Sequence, residues 1–114
     1  MYRVNNWINF FYEVDMPELT GAQKRKLKSH AHHLKPVVQI GQKGLTHELI
    51  KAVDKALLDH ELIKVKFVDF KDEKRELSLA VSESTGASLV TLIGNIAVLY
   101  RENPELESSI GRSL

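Results

Sequence analysis

Apolar and polar positions alternate between two periods along this chain. After Thr20, Leu27, Ala31 and Leu34 recur at the spacing of one helical face. Thr20 and Gln23 form a T-x-x-Q capping box ahead of that face, in which hydroxyl and amide each satisfy a free backbone N–H. Pro36 ends the helix, and Val37, Val38 and Ile40 form a short β-rich run. A second helix follows from Leu49, Ala52, Val53, Ala56, Leu57 and His60, which keep the 3.6-residue period. The segment ELIKVKF then alternates, predicting a strand with Ile63, Val65 and Phe67 on one face and Leu62, Lys64 and Lys66 on a wetter, basic one.

The stretch from Asp72 to Gly86 fits either period. Leu77, Leu79 and Val81 alternate, whereas Leu77, Ala80, Val81 and Ser84 fit a helix; length and Gly86 as a C-terminal stop favour the helix. SLVTLI and IAVLY are two apolar, β-branched runs separated by Gly94-Asn95, a two-residue hairpin signal. The order α-β-α-β-α-β-β predicts an α/β domain with a mixed four-stranded sheet, two-layered or partly covered. Two successive β-α-β steps imply parallel pairs with right-handed crossovers. Residues 19–101 form the domain, residues 1–18 an N-terminal extension, and the polar tail 102–114 is expected to be mobile.

Charge changes this picture. The net charge of +1 conceals a balance of +6 between Leu19 and Lys66 and −5 elsewhere. Leu19 to Gly44 holds six cations and three histidines but no acid. Lys24, Arg25, Lys26 and Lys28 crowd the first helix, where early cations oppose the helix dipole. Helix stability therefore does not account for them. A solvated face is the plain alternative; beside a glycine-rich loop, the cluster has the footprint of a polyanion site.

That loop is Gly41-Gln42-Lys43-Gly44, between the first strand and the second helix. Glycines let a sugar–phosphate backbone approach without a Cβ in the way, Lys43 adds charge, and a helix start offers free N–H groups. GxxG loops clamp nucleotide backbones in KH-type modules. A tight β-α turn also needs glycine for its own geometry, so the motif alone is weak. Neither a GK[ST] ending nor G-x-G-x-x-G occurs, which disfavours a mononucleotide enzyme.

Other chemistry is thin. His30, His32 and His33 invite a metal, but cysteine is absent and no carboxylate lies near them in sequence. No metal or other cofactor is expected; polar or RNA-facing histidines are the better reading. No nucleophile motif or spaced carboxylate pair assigns catalytic roles, and Ser82, Ser84 and Thr85 read as helix-end residues. No apolar run approaches a membrane span, and the first residues lack the pattern of a signal peptide. A cytoplasmic, monomeric protein without a small-molecule substrate is expected. Five of the eight aromatics (Tyr2, Trp7, Phe10, Phe11 and Tyr12) fall in the extension. They stack on bases or cover an apolar patch, or else translation begins at Met16.

LTGAQKRKLKSHAHHLKPVVQIGQKGLT, HELIKVKF and TGASLVTLIGNIAVLYR together resemble the YhbY/CRM family, the chloroplast RNA splicing and ribosome maturation domain, over Leu19 to Arg101. The resemblance implies a fold similar to the C-terminal domain of bacterial translation initiation factor three. It also implies RNA binding, with stand-alone bacterial members associated with precursors of the large ribosomal subunit. By position, Gly41, Gln42, Lys43 and Gly44 match the family's GxxG loop, and the first helix and the HELIKVK strand match its basic surface. The candidate RNA-binding residues are thus this loop with Lys24, Arg25, Lys28, Lys35, Lys64 and Lys66. Two rivals remain: an adaptor whose basic face docks an acidic protein, and a hydrolase using the histidines.

Overall fold

Thr20 caps the first helix as its sequence predicts. The computed structural model describes residues 18–114; the readings of the N-terminal extension and of Met16 lie outside them. The Thr20 hydroxyl accepts from the Gln23 N–H at 3.1 Å, and the Gln23 amide oxygen accepts from the Thr20 N–H at 2.9 Å. Helix α1 runs Gly21–Ala31, strand β1 Pro36–Ile40, helix α2 His47–His60 and strand β2 Leu62–Phe67. A 3-10 turn, Lys71–Glu73, leads into α3, Lys74–Thr85, then β3, Ser88–Ile93, and β4, Ile96–Tyr100. Gly86 ends α3 with φ 72°, the left-handed residue that the helical reading of this stretch requires.

The four strands lie in the order β1-β2-β4-β3, with β1 parallel to β2 and β4 antiparallel to both its neighbours. The element order implies two parallel pairs, whereas the sheet holds one adjacent parallel pair. The first β-α-β step gives an adjacent parallel pair, but the second does not, because β4 inserts between β2 and β3. The hairpin brings β4 back inside the crossover, so β3 becomes an edge and β2 gains an antiparallel neighbour.

Helices cover both faces of this sheet. Ile63, Val65 and Phe67 of β2 join Val38, Ile40, Ala97 and Leu99 in a core closed by Val53 and Leu57 of α2 and Val81 of α3. On the other face Leu27 and Ala31 of α1 pack against Leu62, Val90, Val98 and Tyr100. Leu62, expected on the wetter face of β2, is therefore buried, because α1 lies over the start of that strand. Toward the other end of the same face Lys66 and Gln39 are exposed, and Ile93 keeps 59% of its surface accessible. The buried face of α3 is also shifted from the expected one. Ser78, Ser82 and Thr85 point inward and Ser84 outward, with the Ser82 and Thr85 hydroxyls donating to carbonyls one turn earlier.

The C-terminal residues differ from the expected mobile tail. They fold back, with Ile110 and Leu114 against the α1 core, and a second 3-10 turn covers Ile110–Ser113. Their anchor is Glu61, which is 1% exposed and has φ 63°. Its carboxylate accepts from the N–H of Asn103 and of Ile110, both at 2.7 Å, and from the Ser109 hydroxyl at 2.6 Å. A buried carboxylate is costly unless hydrogen-bonded, so these donors and the tail order one another. Lys26 of α1 adds a bond to the Ser113 carbonyl. Arg101 fastens the opposite side, donating to the Asp54 carboxylate and the Thr85 carbonyl, each at 2.7 Å.

Candidate nucleic-acid interface

The GQKG segment forms a turn closed by a bond from the Gly44 N–H to the Gly41 carbonyl, 3.0 Å. Its two glycines serve different ends. Gly44 has φ 66°, and a Cβ there would lie 3.3 Å from Cε2 of Phe70, so the fold itself demands glycine. Gly41 has no such constraint: a Cβ on it would meet nothing within 4 Å. Gly41 thus leaves a stretch of backbone open to an approaching partner. Gln42 and Lys43, at the tip, are exposed.

The helix start contributes less than the sequence implies. Leu45 and Thr46 separate Gly44 from α2, and the Thr46 hydroxyl already accepts from the Leu49 N–H at 3.0 Å. Glu48 lies in the first turn, where it favours the helix dipole but repels an anion. The turn, with Gly41 unobstructed and Lys43 exposed, rather than the α2 terminus, is therefore the open feature at this end of β1. Beneath the turn runs a groove of about 640 Å³ bounded by the outer edge of β1 and by Glu48, Leu49 and Ala52 of α2.

Lys24, Arg25 and Lys28 are exposed along α1, Lys35 follows it, and Lys66 stands on the open part of the sheet. None of these, nor Lys43, forms an ion pair among the described residues, whose ion pairs are Lys55–Asp59 and Arg101–Asp54. Lys64 is different. Its ammonium donates to the Leu34 carbonyl at 2.9 Å, bracing the end of the α1–β1 connection against β2. The turn and the α1–β1 connection occupy opposite ends of β1: Gly41 follows its last residue, and Lys35 precedes its first. Five residues of strand separate them by about 15 Å, with Gln39 and Lys66 paired across β1 and β2 between them.

His30, His32 and His33 are exposed at and beyond the end of α1, with the rings of His32 and His33 edge to face at 5.2 Å. Among the described residues no group of three or more His, Cys, Asp and Glu is placed to hold a metal ion. No helix of the described residues is long and apolar enough to cross a membrane. Two residues of structural weight escaped the sequence reading, Glu61 and Arg101. Their partners lie 42 to 49 and 16 to 47 positions away, beyond any local pattern.

A partly covered four-stranded α/β sheet with a cationic glycine turn at one end of β1 and a basic helix leading into the other defines a recognisable class. The CRS1/YhbY (CRM) domain model matches residues 19–101, and the chain belongs to that family. It is 42% identical over 88 residues to the Pseudomonas aeruginosa protein named "Probable RNA-binding protein PA4753", a match spanning 76% of this chain and 85% of that one. It is also 42% identical over 98 residues to a Haemophilus influenzae protein named "RNA-binding protein", spanning 85% and 99% of the two chains. Among solved structures, a hypothetical Staphylococcus aureus protein described as a candidate RNA binder superimposes with a TM-score of 0.70 at 43% identity. That match covers 81% of this chain and 97% of the other.

Proposed function

We propose that this protein binds RNA without covalent chemistry, and that its target is ribosomal RNA in precursors of the large subunit. A monomer in the cytoplasm completes the reading. The observation that carries it is Gly41, a glycine the fold does not need, beside an exposed Lys43 and on a surface whose other exposed cations have no ion-pair partner among the described residues. A sugar–phosphate backbone can lie against the turn at Gly41, with Lys43 on a phosphate and Lys24, Arg25, Lys28 and Lys35 extending the field. Lys66 adds charge on the sheet, whereas Lys64 acts first as a brace. Phosphate contacts of this kind position RNA by shape and leave base reading to other groups.

The family relationship supports the RNA part, since the relatives bear RNA-binding names. The test is sedimentation of tagged protein from lysate with and without nuclease. Co-migration with large-subunit precursors that nuclease abolishes is expected. Nuclease-resistant association with a protein partner would favour an adaptor instead.

A further inference from the structure

A second groove, of about 450 Å³, opens where α1, β1, α2 and the C-terminal turn meet. Its floor is apolar, formed by Leu34, Val37, Leu62, Ile63 and Ile110, and its rim carries His30, Lys35 and His60. Leu34 and Val37 are 37% and 52% exposed, apolar surface that the described residues leave open. Among the described residues no carboxylate lines it. The two acids flanking His60 in sequence are turned to other partners, Asp59 to Lys55 and Glu61 to the tail. Val37 lines both this groove and the one beneath the GQKG turn, so the two adjoin at the outer edge of β1.

We infer that the His30–His60 groove is a nucleoside subsite, holding an unpaired base of a single strand that leaves the GQKG turn along β1. This rests on the RNA reading above and extends it from backbone contact to a base. The volume suits one base and its ribose. An apolar floor accepts the face of a base, while the Lys35 ammonium matches the charge of its phosphates and each imidazole offers a ring N–H to a phosphate or base oxygen. Bases in a duplex are stacked away from such a groove, so the occupant is single-stranded.

The full chain is titrated with an RNA hairpin, blunt or carrying a short single-stranded uridine extension, and read by affinity and by methyl NMR. The extension is expected to tighten binding about fivefold, the worth of one modestly held base. The methyls of Leu34, Val37 and Leu62 are expected to shift only with the extended RNA. His60→Glu, at an exposed helix end, is expected to remove the fivefold gain and leave blunt-hairpin affinity unchanged. An extension without effect, or a gain that survives His60→Glu, overturns the subsite while leaving the RNA reading intact. Displacement of the extension by a polyglutamate peptide would assign the groove to an acidic protein segment and overturn it too. A chain that binds neither RNA removes the underlying reading and the subsite with it.

Discussion

Lys64 donates to the Leu34 carbonyl across 2.9 Å, so a cation in the middle of the basic surface is engaged in holding the surface together. The bond joins β2 to the chain leaving α1, and α1 carries most of the remaining charge. Lys64→Met keeps the stem and deletes the donor. It is expected to cost about 1 kcal/mol, seen as a fall in melting temperature of about 4–8 °C for a domain of this size. Its salt dependence of RNA binding should stay close to that of the wild type. Equal stability with a flatter salt dependence would place Lys64 on a phosphate instead.

The two glycines of the turn should separate folding from binding. Gly44→Ala forces a left-handed alanine against Phe70 and is expected to lose about 1–2 kcal/mol of stability. Gly41→Val has open space around it, so its unfolding free energy should stay within about 0.5 kcal/mol of the wild type. Its RNA affinity should nevertheless fall severalfold. Denaturant melts paired with binding titrations of both variants check this, and full RNA affinity in Gly41→Val would make the turn a mere connection.

Glu61→Gln tests whether the carboxylate fastens the tail. An amide offers one accepting oxygen where the carboxylate uses two, so at least one partly or fully buried donor loses its partner, at about 1–3 kcal/mol. Hydrogen exchange should accelerate in residues 103–114 and in α1, which packs against Ile110 and Leu114. Unchanged protection there would show that the apolar contacts and Arg112, which donates to the Glu107 and Pro104 carbonyls, suffice.

Burial first, then the neighbouring charges of Glu61 and Glu102, push the Tyr100 hydroxyl up to about 12. The folded state therefore favours the neutral phenol. That stability is present below the ordinary tyrosine value near 10 and is lost as pH rises toward 12. Chemical denaturation across this alkaline window should show stability falling in the wild type and falling less in Tyr100→Phe. Parallel profiles would remove Tyr100 as the cause.

Much of this architecture is legible along the chain because its signals are local. The Thr20–Gln23 box, the Gly86 stop and the two-residue Gly94-Asn95 hairpin each need only neighbouring residues, and each occurs where its pattern places it. Strand order was less accessible, since nothing in the alternation of SLVTLI or IAVLY says which lies beside β2. Leu62 and the tail failed for a related reason: α1 covers the one, and Glu61 captures the other, through contacts between distant segments. At the site, the turn and the exposed cations were visible as residue types. That Gly44 serves the fold, that Gly41 is open and that Lys64 is engaged required neighbours in space.

If the GQKG turn and α1 hold phosphates together, the salt dependence of RNA affinity reports it. With Lys43, Lys24, Arg25, Lys28 and Lys35 engaged, log affinity for a duplex-containing RNA should fall linearly with log salt, at a slope of magnitude about 3–5. Replacing Lys24, Arg25 and Lys28 together with glutamine should flatten that slope by about 2–3, and Lys43→Glu should weaken binding at least severalfold. A flat wild-type slope, or a triple variant whose slope is unchanged, would contradict the account.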